Sequence, residues 1–225
     1  MKNLKIKITC GKKLQSINAS EHCLALLLYL IRNLNNKNEH VVPGEINGKN
    51  VLIIGLGGIG SEIAKKLKIF GANIDAIVLK QRKISRVNTV HDKQYLKKII
   101  NNYDIIINTS PLTDLTKNLF NKNIFNKMKA GVFFINLSRN GSIDFKDLKN
   151  YLKKNRYGGI GLDLSEDFLK IKMKYLKNFK NVKVTNHKAG ITTNLERRFE
   201  LMEKNIERYI YKKKMINIVD FNKGY

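Results

Sequence analysis

Three glycines carry the clearest chemistry in this chain. In NVLIIGLGGIGSEIAKKLKIFGA, Gly55, Gly57 and Gly60 form G-x-G-x-x-G directly after an apolar run and at the start of an amphipathic one. That spacing suits a strand, a tight turn and a helix. Gly55 permits the sharp turn, Gly57 lets a ligand approach the backbone, and Gly60 lets helix and strand pack closely. Amides of Gly58 and Ile59 would then point from the helix start toward anionic oxygens, making the unit a cradle for the diphosphate of a dinucleotide. The plainer alternative is a glycine-rich turn with no ligand, against which the flanking strand and helix argue.

An acid able to grip ribose hydroxyls is expected at the end of the next strand. That strand covers 74–79 and runs into Lys80, Gln81 and Arg82, whereas Asp75 stands near its beginning. Lys80 and Arg82 suit a 2′-phosphate, which favours NADP over NAD. In so lysine-rich a chain they equally suit a solvated loop. Cys10 and Cys23 lack metal-ligand spacing, so no metal is expected, and lone cysteines fit a reduced, cytoplasmic compartment.

The elements that must position these groups alternate. Short runs rich in β-branched residues fall at 51–54, 74–79, 105–108, 132–137, 160–164 and 182–185, as strands covered on both faces do. Helical stretches occupy 59–70, 94–101, 117–128 and 145–155, and a last helix is expected over 194–213. The alternation predicts an α/β fold, a doubly wound parallel sheet of Rossmann-like type. Ahead of it, a short strand is expected at 5–9. A helix capped by Ser20 follows and continues to Leu34, apolar nearly all round and hence buried in a core or a subunit interface.

Composition narrows the function further. With 225 residues, 43% of them hydrophobic, and only two prolines, the chain is long and apolar enough for a sizeable core. The longest apolar run, 23–31, is too short to span a bilayer, and the N-terminus lacks a secretory pattern. The net charge of +25 would suit nucleic acid. The lysines are dispersed, however, without interleaved aromatic stacking platforms, and abundant asparagine points to a compositional bias.

Several further segments extend the picture. Ser20-Glu21-His22 followed by LALLLYLIR, the glycine loop, DIIINTSPLTDLTKNLF, MKAGVFFINLSRNGSID, GIGLDL and NVKVTNHKAGITT occur in an order that resembles the D-isomer-specific 2-hydroxyacid dehydrogenase family. The resemblance implies reduction of a 2-keto acid with NAD or NADP, in a homodimer built through the 20–34 helix. By resemblance Arg139 would hold the substrate carboxylate and polarise its carbonyl, a bidentate task suited to guanidinium. His187 would give and take the proton. Asp163 would receive the nicotinamide amide, with Ser110, Pro111, Thr116, Ala189 and Gly190 also lining the cofactor.

Two departures accompany this likeness. Phe168 stands where the family carries a glutamate that supports the histidine, with Glu166 and Asp167 nearby. The resemblance also begins where the family's flavodoxin-like substrate domain is almost finished. Residues 1–18 are then its remnant, 19–190 the dinucleotide-binding domain, and 191–225 a helix and tail returning toward the substrate domain. The chain would be a fragment, a truncated product or a member without turnover. The leading expectation is a 2-hydroxy acid dehydrogenase. The alternatives are a nucleotide-binding scaffold or redox sensor and, further off, a basic nucleic-acid-binding protein.

Overall fold

The computed structural model describes residues 6–34, 42–78, 87–154, 156–165, 174–179 and 181–219. Seven parallel strands form one sheet in the order β3-β2-β1-β4-β5-β6-β7. They are β1 (Asn50–Ile54), β2 (Asn73–Val78), β3 (Thr89–Asp92), β4 (Ile105–Asn108), β5 (Val132–Asn136), β6 (Tyr157–Leu164) and β7 (Val182–Asn186). The helices are α1 (Ser16–Ile31), α2 (Gly58–Ile69), α3 (Leu96–Ile99), α4 (Lys122–Phe125), α5 (Phe145–Lys153) and α6 (Glu196–Ile210). The doubly wound sheet expected from the sequence is therefore present.

Its strands read as continuous apolar runs because both faces are covered. Side chains alternate across the sheet. Val51, Ile53, Ile105, Ile107 and Ile135 pack with α1 and α2, whereas Leu52, Ile54, Ile106, Phe134 and Leu162 pack with α4 and α5. Among the described residues no helix is long and apolar enough to cross a membrane.

Five sequence expectations need correction. First, residues 6–9 of the expected 5–9 strand do not join the sheet. Thr9 instead forms an antiparallel bridge with Ile218, flanked by Cys10 N–H to Asn217 O (3.0 Å) and Val219 N–H to Ile8 O (2.9 Å). Second, α1 starts four residues before Ser20. The Ser20 hydroxyl donates back to Ile17 O at 2.6 Å inside the helix and so caps nothing. The helix ends at Ile31 rather than Leu34, and Asn33, past the cap Arg32, takes the left-handed conformation (φ 56°) usual just beyond a helix end. Its apolar residues Cys23, Leu26, Leu27 and Leu30 are buried against the sheet and α2, as a helix apolar nearly all round is expected to be in a core.

Third, β3 was not expected. Its sequence TVHD has no apolar run, because among the described residues it is an edge strand paired only to β2. Fourth, within 117–128 only α4 is helical. The backbone at 118–120 bonds across to 141–144 instead: Asn118 N–H to Gly141 O, Phe120 N–H to Ser142 O, and Asp144 N–H to Phe120 O. That pairing seats Phe120 against Phe134, with ring centroids 4.6 Å apart. Fifth, the 94–101 helix reduces to α3 with a turn of 3₁₀ helix on either side.

The last helix is inverted in character. Leu195, Phe199, Met202, Ile206 and Tyr209 make an apolar stripe on its exposed side, while the buried Asn205 faces the protein and clamps the Ile216 backbone.

Candidate active site

Strand order reverses between β1 and β4, and ligands of such sheets bind in the crevice beyond the strand carboxyl ends at that point. The candidate groups in the described residues lie at or follow the carboxyl ends of β1, β4, β5, β6 and β7, at this edge. Thr109 Oγ1 donates to Gly55 O at 2.7 Å, tying the loops after β4 and β1 together across the crevice.

Gly55 has φ +91°, and a Cβ there would lie 2.9 Å from the Ser110 backbone. A turn this sharp against a neighbouring main chain excludes any side chain. At Gly60 a Cβ would meet Gly55 O at 2.0 Å, so α2 rests directly on the strand end. Gly57 differs: a Cβ there would meet nothing within 4 Å, and the residue sits as N-cap of α2 with open space above it. Gly58 and Ile59 open the helix, where the first amides lack intrahelical acceptors. This open cradle fits a diphosphate.

The loop after β4 is held by a buried polar cluster. Asn108 Nδ2 donates to Asn136 Oδ1 (2.7 Å) and Ser142 Oγ (3.2 Å), while Asn108 Oδ1 accepts from Ser110 Oγ (2.8 Å). Ser138 Oγ donates to Ser110 O at 2.6 Å. Ser142 Oγ donates to Arg139 O at 2.9 Å. Thr116 is buried, and its hydroxyl bonds Pro111 O (2.6 Å) and the Thr113 amide (2.8 Å), so it shapes the loop from within. Arg139 itself is exposed and precedes the short turn Asn140–Ser142 at the carboxyl end of β5. A second tie, Asn140 Nδ2 to Ser165 Oγ at 2.8 Å, joins this turn to the end of β6.

On the far side stand the groups of β6 and β7. Asp163 is 5% exposed and accepts three hydrogen bonds: Oδ1 from Thr185 Oγ1 (2.6 Å) and the Lys188 amide (2.9 Å), and Oδ2 from the Ala189 amide (3.0 Å), which leaves Oδ2 a further acceptor site. Its carboxylate therefore folds the turn that follows β7. His187 is exposed on that turn and has φ +48°, a left-handed backbone uncommon for a residue other than glycine. Gly190 lies at the end of the turn, where a Cβ would touch the Gln15 side chain ahead of α1.

Lys80 and Arg82 lie outside the described residues, as do Glu166, Asp167 and Phe168. Asp75, third in β2, accepts from the Thr89 amide (2.9 Å) and the Tyr103 hydroxyl (2.7 Å) and is thus occupied at the far end of its strand. Burial first, then that bond to Asp75, pushes the Tyr103 phenol well above its usual range.

Asn108, Asn136, Ser142 and Thr185 were missed by sequence reasoning. Their only local signal is a polar residue at or near the end of an apolar run. No group of histidine, cysteine or acidic residues able to hold a metal occurs among the described residues.

Comparison with known proteins agrees with this fold. Residues 24–189 match the family model "D-isomer specific 2-hydroxyacid dehydrogenase, NAD binding domain". The chain is 32% identical over 163 residues to the D-3-phosphoglycerate dehydrogenase of Bacillus subtilis, covering 67% of this chain and 31% of that one. It is 32% identical over 201 residues to the 2-hydroxyacid dehydrogenase homolog 2 of Schizosaccharomyces pombe, covering 77% and 59%. The chain thus spans from a third to three fifths of these curated relatives. A D-isomer specific 2-hydroxyacid dehydrogenase from Xanthobacter autotrophicus Py2, solved with NADPH and MES, superimposes with a TM-score of 0.87 at 23% identity, covering 98% and 95%, and shares the fold.

Proposed function

We propose, because this chain belongs to the NAD-binding domains of the D-isomer specific 2-hydroxyacid dehydrogenases, that it takes part in interconverting a 2-keto acid and a 2-hydroxy acid. One observation carries the reading most. Arg139 and His187 leave the carboxyl ends of β5 and β7, on the same edge of the sheet as the glycine cradle. Gly55, Gly57, Gly58, Ile59 and Gly60 take the diphosphate, and Ser110, Pro111, Ala189 and Gly190 border the rest of the cofactor. Asp163 meets the nicotinamide amide from the end of β6, and Thr116 serves the site through the loop it braces.

When bound, the reduced nicotinamide supplies hydride to the keto carbon. Arg139 grips the substrate carboxylate in bidentate fashion and polarises the carbonyl. His187 hands its proton to the carbonyl oxygen and removes it again in the oxidative direction. Lys80 and Arg82 tilt the cofactor preference toward NADP. Residues 19–190 form the dinucleotide-binding domain, with 1–18 and 191–225 assigned to the side of a substrate-binding domain. Two features support that division: the Thr9–Ile218 bridge and the outward apolar stripe on α6. A homodimer would use what α1 leaves open, chiefly Ile17 and Ala25 with half-buried Leu28 and Tyr29. A cytoplasmic location agrees with the two free cysteines.

The test is oxidation of NADPH and NADH by glyoxylate, hydroxypyruvate and pyruvate, followed optically. We expect turnover, faster with NADPH, that His187→Ala abolishes without loss of nucleotide affinity. Tight cofactor binding with no turnover on any keto acid would replace this reading with a nucleotide-binding scaffold, which Phe168 at the usual glutamate position favours. Stronger NADH binding would overturn the role given to Lys80 and Arg82.

A further inference from the structure

His187 holds a backbone conformation that costs of order 1–3 kcal/mol at a non-glycine residue, so its surroundings must impose it. Two elements do so. Asp163 takes the amides of Lys188 and Ala189, as described, and Asn18 of α1 donates through Nδ2 to Ala189 O at 2.9 Å. The Asp163 carboxylate is in turn fixed by Thr185 at 2.6 Å, and Thr185 Oγ1 lies 2.9 Å from His22 Nε2.

The direction of this chain follows from proton counting. A threonine hydroxyl has one proton to give, and an ionised carboxylate only accepts. Thr185 therefore donates to Asp163 and must accept from His22, whose Nε2 carries the hydrogen. His22 N–H, Thr185 O–H and Asp163 form one directed series, and such series strengthen along their length.

From this geometry we infer that His22 is a positioning residue: as an Nε2–H donor it holds Thr185 and Asp163 so that the turn presents His187 to the substrate. The inference rests on the proposed role of His187. His22 and Asn18 both lie ahead of residues 24–189 matched by the family model, so the bracing comes from outside that segment. Burial dominates the His22 environment and lowers its pKa below the ordinary value; the Asp163 carboxylate 3.9 Å away opposes that trend and the Lys188 ammonium reinforces it. Glu21 and Lys188 share with His22 the walls of an adjoining cleft of about 540 Å³. The neutral donor is thus the form present near pH 7.

Imidazole nitrogen spectra of the whole chain without ligand provide the first test, with its four histidines, His22, His40, His91 and His187, assigned by substitution. We expect His22 as the neutral Nε2–H tautomer, and a shifted or broadened His187 signal in both His22→Ala and Thr185→Val. His22→Gln keeps an N–H donor and should restore the His187 signal. In turnover, His22→Ala should lower kcat about tenfold or more, a larger change than in KM for the nucleotide, since a misplacement of 1 Å can cost ~10²-fold. His22→Gln should recover most of the rate.

An Nδ1–H tautomer at His22 would overturn the inference. So would His187 spectra unchanged in Thr185→Val and His22→Ala. If no keto acid is reduced by the unaltered protein, the dehydrogenase reading fails, yet the spectra still decide the role of His22.

Discussion

Gly57 and Gly60 stand three residues apart in one motif, but the structure assigns them opposite kinds of sensitivity. Gly57→Ala adds a methyl into open space, at φ −72° and ψ −159°, values an alanine adopts without strain. Folding should be unharmed, and the stiffer unfolded chain adds about 0.4–1 kcal/mol of stability. The same methyl fills the cradle and holds the diphosphate off the helix amides. Loss of two charge-assisted hydrogen bonds at about 1.5 kcal/mol each removes about 3 kcal/mol of binding. That corresponds to an affinity lower by ~150-fold. Gly60→Ala reverses the pattern. Its methyl would lie 2.0 Å from Gly55 O, so α2 must lift off the strand end and loosen the packing of Ile63, Ala64 and Leu67. Overpacking of this kind costs about 1–3 kcal/mol. In a chain of this size each kcal/mol lowers Tm by about 2–4 °C. Calorimetric melting and titration with NADPH on both variants are the assays. Gly57→Ala that binds as tightly as the unaltered protein would show that no diphosphate passes over this residue. Gly60→Ala that melts normally would refute the contact between helix and strand end.

Arg139→Lys should leave NADPH affinity intact while keto-acid reduction falls by tenfold or more, read as kcat/KM, because an ammonium cannot reproduce the planar two-pronged grip. Asn108→Ala should lower stability by about 1–3 kcal/mol, since Asn136, Ser142 and Ser110 lose a buried partner; a Tm equal to that of the unaltered protein would count against the cluster. His22 makes stability fall on mild acidification. Its folded pKa lies below the unfolded value, so the unfolded chain binds the extra proton first, and stability drops as pH falls from about 6.5 toward the folded pKa. Denaturant titrations between pH 7 and 5 should show a shallower decline for His22→Gln, and parallel curves would exclude this contribution.

What could be read from sequence was what is local. The six apolar runs each became a strand because a sheet covered on both faces demands unbroken hydrophobic stretches, and the glycine motif lies wholly within one strand, turn and helix. TVHD escaped notice since an edge strand needs neither apolar face. Around 117–128 the spacing of Leu119, Phe120, Ile124 and Phe125 imitates one helical stripe, yet Phe120 reaches the core from a segment bonded across to 141–144, and Ile124 and Phe125 from the single turn of α4. Ser20 looked like a cap, but a turn through 11–15 had already begun the helix, with Leu14 N–H bonded to Gly11 O and Ser16 N–H to Lys13 O. The site was legible in its exposed groups and not in its supports. Thr185 meets Asp163 across 22 residues, and Asn108 meets Asn136 across 28. Parallel strands need a crossover between neighbours, so such partners never share a local spacing.

Those supports explain how one edge of a sheet keeps loops in register. An apolar strand ends where a side chain must bond sideways, and here Asn108, Asn136 and Asp163 do so at the ends of β4, β5 and β6. Each reaches the loop of its own or the next strand: Asn108 fixes Ser110, Ser142 beside Asn136 fixes the Arg139 carbonyl, and Asp163 fixes the amides after His187. All three asparagine and aspartate side chains are buried, where an unmet polar atom costs about 1–3 kcal/mol, so a loop displaced from its partner strands that cost in the sheet. The positions of Arg139 and His187 are thereby coupled to the stability of the strands beneath them, while their own side chains remain exposed and free to meet a ligand.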